Sequence, residues 1–118
     1  MIIEGKAFRG KGIERNIGRE KFSIFLLWMI SKKGQHGYEI IKTMNDDRGI
    51  PYFPASKIYP ILNDLHKKGF ITQEKKMQGK RVKKIYTITA KGRQALNKAR
   101  EHIKNSPLLR QYVEDMLK

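Results

Sequence analysis

The sequence of 118 residues contains no cysteine, so disulfide bonds, thiolate zinc sites and cysteine nucleophiles are excluded. It also lacks a long apolar run. The most apolar stretch extends only from Phe22 to Ile30, whereas a helix that crosses a bilayer needs ~20 residues. The first residues do not show the charged and apolar regions of a signal peptide. We therefore expect a cytoplasmic protein with no membrane segment.

Acidic residues are few: 11 Asp and Glu stand against 26 Lys and Arg, which gives a formal net charge of +15. Such an excess opposes compact folding by self-repulsion and favours a polyanionic partner. Nucleic acid is the first candidate and an anionic membrane surface the second. The length and the 39% hydrophobic content suit one folded domain with a modest core.

The motifs of catalysis and metal binding are also missing. His36, His66 and His102 are far apart and have no metal-ligand spacing, and no further carboxylates cluster near Asp46 and Asp47. No phosphate-cradling glycine loop, nucleophile elbow or pair of catalytic carboxylates occurs. We therefore predict that the protein is not an enzyme and holds neither a metal nor a cofactor.

The stretch from Tyr52 to Ile71 organises the chain. It begins with turn residues, continues as a helix and stops at Gly69. One helical face carries an apolar stripe made of Ile58, Ile61, Leu62 and Leu65. The opposite face holds Ser56, Pro60, Asn63 and Lys67, flanked by Lys57 and Tyr59. Hydrogen-bonding and cationic groups of this kind suit a DNA groove, so we predict a recognition helix. It should start between Pro54 and Ser56. With Ser56 as N-cap, Pro60 would cost only the first backbone bond and a local distortion.

Two further helices are predicted before this one. Residues 19–33 lie between two glycines and are apolar almost all round, which indicates a central, buried helix. Phe25 and Trp28 should therefore be core residues, although part of this surface could instead lie against a second subunit. Residues 34–37 are predicted to form a turn, and Tyr38 to Asp47 a second helix.

A basic hairpin is predicted after the recognition helix. Phe70 to Met77 and Val82 to Thr89 have strand character, and a turn over residues 78–81 joins them. The hairpin carries Lys75, Lys76, Lys80, Arg81, Lys83 and Lys84. These cations repel one another, and a polyanion beside them would relieve that cost. The alternative is a solvated hairpin whose charge keeps the protein soluble.

The remaining segments are terminal. Thr89 should cap a helix that runs to about Lys104, and Ser106 with Pro107 should start another. That last helix has an apolar stripe formed by Leu108, Leu109, Tyr112, Val113, Met116 and Leu117. We expect the stripe to form a homodimer rather than to pack back on the first helix. At the other end, Met1–Ile3 could be a short strand. Residues 1–17 as a whole are either a disordered or lightly docked tail or a basic arm whose Arg9, Lys11 and Arg15 follow DNA.

This order of elements predicts a fold of the α+β class, mostly helical: a winged helix-turn-helix with a two-stranded β-wing and a C-terminal dimerisation helix. Three regions follow. Residues 1–17 form a basic flexible arm, residues 18–89 the winged helix-turn-helix DNA-binding domain, and residues 90–118 the helical dimerisation region.

Three linked motifs resemble those of the PadR family of transcriptional regulators. They are His36–Ile40, then Ile58–Leu62 with Leu65 and Gly69–Ile71, and finally Lys84–Thr89 with Lys91–Arg93. The resemblance extends from about Phe22 to Leu96. It implies a dimeric repressor that binds an inverted-repeat operator in double-stranded DNA, with each C-terminal helix packed on the partner's N-terminal helix. Many members sense a small effector at the dimer interface, and nothing in this sequence selects one. The family usually has Ser-Pro-Gly-Thr where this chain has Pro54–Lys57, so base preference does not carry over.

Specific roles follow for the candidate residues. Recognition helices read bases near their N-termini, so Ser56 and Lys57 are candidates for base contacts. Asn63 could pair with adenine, and Lys67 is placed for a phosphate. The remaining DNA-binding candidates are Tyr38, Tyr59, Pro60, Lys80, Arg81 and Lys83, where either tyrosine could instead be a packing residue. The dimer-interface candidates are Phe25, Trp28, Leu108, Leu109, Tyr112, Val113, Met116 and Leu117.

Two other functions remain open at this point. One is a basic RNA-binding or ribosome-associated protein without DNA sequence specificity, which the charge would also suit. The other is a winged module that binds a protein, although the cations of the hairpin suit phosphates better than protein surfaces.

Overall fold

The computed structural model describes residues 19–118, which form five helices and one antiparallel sheet. The predicted N-terminal arm over residues 1–17 lies outside the described part. The helix α1 covers residues 19–32. The elements that follow are β1 (Gln35–His36), α2 (Gly37–Asp46), α3 (Ala55–Lys67), β2 (Ile71–Gln78), β3 (Arg81–Ile88), α4 (Ala90–Lys104) and α5 (Pro107–Met116). The predicted helices and hairpin are all present, with ends shifted by one or two residues.

The core lies where α1, α2 and α3 meet the base of the sheet. Its fully buried side chains are Leu26, Leu27, Ile30, Ile40, Met44, Ile58, Leu62, Ile71 and Tyr86. The predicted core position of Trp28 is wrong, because this side chain is 42% exposed. Trp28 lies on a narrow exposed stripe of α1, together with Lys21 and Lys32. Phe25 is half-buried at the edge of the core, with its ring centroid 5.7 Å from that of Trp28.

The predicted turn over residues 34–37 contains a short strand that the sequence analysis missed. In β1, Gln35 pairs with Tyr86 and His36 with Ile85, so the strand order is β1-β3-β2. The sheet therefore has three strands, where a two-stranded wing was predicted. The helix α2 starts directly after β1, and the His36 amide donates to the Glu39 carboxylate at 2.9 Å.

The start of α3 also differs from the prediction. Pro54, not Ser56, is the N-cap, and its carbonyl accepts from the amides of Lys57 (3.0 Å) and Ile58 (3.3 Å). Its extended backbone suits a cap, because proline already has its φ fixed near the observed −72°. Pro60 consequently lies inside the helix, which continues through it. The Ser56 carbonyl that Pro60 leaves without a helical donor belongs to an exposed residue, where water can reach it.

The caps predicted for the last two helices are confirmed. The Thr89 hydroxyl accepts from the Gly92 amide at 3.0 Å, and the Ser106 hydroxyl from the Leu109 amide at 3.2 Å. The helix α5 contributes no buried residue to the described structure. Its apolar stripe is therefore exposed, from 44% at Val113 to 81% at Leu117.

Tyr86 has a buried hydroxyl that finds no hydrogen-bond partner within the described part of the chain. Burial, and to a smaller extent the neighbouring Tyr59, raise the pKa of this hydroxyl. An unsatisfied buried polar group costs about 1–3 kcal/mol. We expect Tyr86→Phe to increase the free energy of unfolding by about 1 kcal/mol in urea titrations. The exposed Tyr52→Phe should have no effect. A destabilised Tyr86→Phe would show that the hydroxyl is bonded.

Candidate nucleic-acid interface

The outward face of α3 presents the polar residues that the sequence predicted for it. We call Ser56, Lys57, Pro60, Asn63 and Lys67 the recognition face, and all five are exposed. The opposite face is held in the core through Ile58 and Leu62, which are fully buried. The fold therefore fixes the helix through one side and leaves the other free for a ligand.

Two contacts outside the core hold α3 in place. The guanidinium of Arg19 forms an ion pair with Asp64 and so ties α1 to α3. The Asn45 side chain bonds to the backbone of Phe53 in both directions, accepting from its amide at 3.1 Å and donating to its carbonyl at 3.3 Å. The Asn45 side chain thus bonds to both backbone groups of Phe53, as a paired strand residue would, and fixes the turn between α2 and α3. Asn45 falls within the predicted helix from Tyr38 to Asp47, and no role was predicted for its side chain.

A cleft of about 660 Å³ lies between the helix-turn-helix and the hairpin. It is lined by Gly37, Tyr38, Tyr59, Arg81, Val82, Lys83 and Lys84. The structure therefore brings four of the predicted DNA-binding residues, Tyr38, Tyr59, Arg81 and Lys83, to one place. The cleft is also lined by three residues that were not among the predicted site residues, Gly37, Val82 and Lys84.

The two tyrosines of the cleft are held differently. Tyr59 is half-buried and packs so closely on α2 that a Cβ at Gly37 would lie 2.8 Å from its ring. Tyr38 is 51% exposed, stacks on His36 with ring centroids 5.5 Å apart, and has the Lys83 ammonium 3.4 Å from its hydroxyl. Tyr59 is thus partly a packing residue, while Tyr38 joins α2 to the hairpin.

The hairpin of β2 and β3, called the wing here, concentrates positive charge in its outer half. Residues 75–84 contain six cations and no acid. The register places Lys75 opposite Lys84 and Lys76 opposite Lys83. Like charges directly opposite one another destabilise a sheet. Among the ion pairs formed within residues 19–118, none involves a wing cation.

The tip of the wing is tight and exposed. Gly79 has a φ of 63°, which suits the first central position of a two-residue hairpin turn. Lys80 completes the turn, which joins Gln78 to Arg81. The next pair of the ladder, Met77 and Val82, is exposed. The six cations therefore project from a defined two-stranded ribbon.

Within residues 19–118, no three His, Asp or Glu side chains lie close enough together to hold a metal ion. None of the helices described is both long enough and apolar enough to span a bilayer.

Comparison with known proteins agrees with this geometry. The sequence profile of the Transcriptional regulator PadR-like family matches residues 26–98. The Transcriptional regulator YqjI of Escherichia coli (strain K12) is 32% identical over 101 residues, which cover 84% of this chain and 47% of that protein. The chain thus spans about half the length of the curated relatives it matches.

Solved structures show the same fold. Bacillus subtilis PadR in complex with operator DNA superposes with a TM-score of 0.60 and 34% identity, over 65% of this chain and 45% of that one. A PadR family transcriptional regulator from Eggerthella lenta DSM 2243 gives a TM-score of 0.67 over 97% of this chain and 96% of that one, at 21% identity. With the profile match and the curated relatives, these similarities show that the chain belongs to the PadR-like family of transcriptional regulators.

Proposed function

We propose that this protein is a sequence-specific DNA-binding transcriptional regulator, a dimeric repressor that binds an inverted-repeat operator. The proposal rests on one observation, the cleft at which α2, α3 and the cationic wing meet. A phosphate chain that follows this cleft would meet the tyrosine hydroxyls and Lys83 while α3 lies in the adjoining major groove. The Bacillus subtilis relative, solved with operator DNA, supports this placement.

The proposed contacts follow from exposure and position. Ser56 and Lys57 lie in the first turn of α3, where recognition helices contact bases. Asn63 has the amide that pairs with adenine, and Lys67, near the end of the helix, suits a phosphate. At the wing, Lys80 and Arg81 would reach the phosphate backbone or the neighbouring minor groove, and the other wing lysines would neutralise phosphates.

We propose that the exposed stripe of α5 covers a second copy of the chain. Six large apolar side chains on this short helix and at its C-cap remain 44–81% exposed within residues 19–118. Trp28 and Phe25, on the partly open side of α1, would complete the interface. Residues 18–89 would then bind DNA and residues 90–118 would hold the dimer together. An effector at this interface stays a prediction from the family resemblance.

The charge alone supported the RNA-binding alternative, whereas the matched relatives are transcriptional regulators, so we do not retain it. We likewise propose a non-enzymatic role. Since the protein would act where the chromosome is, a cytoplasmic location is part of the proposal.

The function is tested by measuring affinity for the DNA upstream of the protein's own gene and for a scrambled duplex. The measurement is repeated over several salt concentrations, because phosphate contacts make non-specific binding salt-dependent. We expect a preference of at least about 10³-fold, the lower range of specific binders. A preference below about 10-fold at every salt concentration would contradict the proposal.

A further inference from the structure

The C-terminal end of α3 is closed by a complete Schellman motif. The Phe70 amide donates to the Leu65 carbonyl at 2.9 Å, and the Gly69 amide to the His66 carbonyl at 3.0 Å. Gly69 has the positive φ, 81°, that this motif requires. The carbonyl oxygens of Lys68, Gly69 and Phe70 take no part in this motif and can accept hydrogen bonds from other partners.

All three carbonyls accept hydrogen bonds from the start of α4. The Lys91 ammonium donates to Lys68 at 2.7 Å, the Thr89 hydroxyl to Gly69 at 2.6 Å, and the Thr89 amide to Phe70 at 3.0 Å. We call these three bonds the α3–α4 clasp. The Thr89 hydroxyl also caps α4 by accepting from Gly92, so one oxygen bonds to the ends of both helices.

The clasp is reinforced by close packing and by charge. A Cβ at Gly92 would collide with the Phe70 carbonyl oxygen, so no side chain separates the two helix ends. The Lys91 ammonium lies 5.2 Å from the centroid of the Phe70 ring. A cation at this place is also favoured by the negative end of the α3 dipole. The first turn of α4 is therefore fixed directly on the end of α3.

We propose that Lys91 and Thr89 are positioning residues that set the angle between α3 and α4. This inference rests on the proposed function, in which α3 reads DNA and α4 leads to the dimer interface. The clasp would then determine how far apart, and at what angle, the two α3 helices of a dimer stand. Dimeric helix-turn-helix proteins bind half-sites at a fixed spacing of about 34–36 Å or its multiples. A change at the clasp alters which operator spacing fits, without any contact of its own with DNA.

The main test variant is Lys91→Met, which keeps a long apolar stem over Phe70 and removes the ammonium. Lys98→Met is the matched control, because Lys98 is exposed on the same helix and takes no part in the clasp. Lys91→Arg and Thr89→Ser are conservative variants that retain the donor. Each protein is titrated with the duplex from upstream of its own gene that holds the operator and with the same duplex after its half-sites are moved one base pair closer or farther apart. A duplex with a single half-site is the last probe.

We expect Lys91→Met to reduce the preference for the native spacing about 5- to 10-fold while half-site affinity stays within about 2-fold. Lys98→Met should behave as the unchanged protein, and the two conservative variants should keep most of the preference. Thermal unfolding is recorded for every variant. A purely structural role would lower the unfolding temperature and weaken all duplexes equally.

Two results would overturn the positioning role. One is an unchanged spacing preference in Lys91→Met, and the other is an equal loss on all duplexes including the half-site. Both leave the proposed function intact, because the unaltered protein still prefers its operator over scrambled DNA. If the unaltered protein shows no such preference, that result contradicts the proposed function, and the positioning role, which depends on it, is contradicted as well.

Discussion

Replacing Lys75, Lys76, Lys83 and Lys84 with glutamine is expected to weaken duplex binding about 10²- to 10³-fold at ~0.15 M salt. Each lost phosphate contact should also reduce the slope of log affinity against log salt by about 0.9. The same variant should be more stable. It removes two pairs of directly opposed like charges, each of which costs about 0.2–1 kcal/mol in a sheet. Affinity and stability therefore change in opposite directions.

In the control variant, four lysines outside the wing are replaced with glutamine, so both variants lose the same positive charge. The exposed residues suited to it are Lys21, Lys33, Lys98 and Lys104. This variant should lose much less affinity, since its lysines lie away from the cleft and wing. Duplex titrations over a salt series and urea unfolding measure both effects. If the two variants lose equal affinity, DNA binding depends on the total positive charge and not on the position of the lysines in the wing.

The second large effect is expected at α5. Leu109→Asp combined with Val113→Asp should give a monomer, because two carboxylates would have to be buried in the proposed interface. Operator affinity should fall about 10²-fold or more, since the two recognition helices would no longer bind as one linked unit. Sedimentation measures the assembly, and titration with the operator measures the affinity.

This double variant should keep its fold, because α5 contributes no buried residue to the described core. Gln111→Asp combined with Asn105→Asp is the matched control, with the same added charge at exposed positions outside the apolar stripe. It should remain dimeric. If the double variant at Leu109 and Val113 still forms the dimer, the dimer interface must lie on another surface.

Local sequence signals predicted most of the elements correctly. The apolar stripe of α3, the β-branched strands of the wing and the caps at Thr89 and Ser106 each depend on neighbours a few residues away. The N-cap of α3 was placed two residues too late, whereas the errors at β1 and Trp28 share one physical cause, the arrangement of segments that are distant in sequence. The strand β1 exists because Gln35 and His36 pair with residues some fifty positions later, which no local pattern encodes. Trp28 is exposed because the neighbouring elements leave one stripe of α1 uncovered, and their arrangement is not encoded locally.

The sequence was sufficient to predict most residues of the candidate site, but not how the separate elements bring them together. Helical spacing is sufficient to place Ser56, Lys57, Asn63 and Lys67 on one face of α3. The meeting of Tyr38 with Lys83 depends on the docking of the wing against α2, and the bond from Lys91 to Lys68 joins positions 23 apart. The glycines at 37 and 92 were the available signals, because each permits a close approach that a side chain would prevent.

The recognition face has a consequence for how this regulator can diverge. Within the described part of the chain, Ser56, Lys57, Asn63 and Lys67 make no side-chain hydrogen bond or ion pair, and all four are exposed. Surface substitutions of this kind usually change stability by no more than about 0.5 kcal/mol. Under the proposed function, a duplicated gene could therefore acquire a new operator through single substitutions in α3, while the buried face of that helix and the contacts at its ends keep the scaffold unchanged.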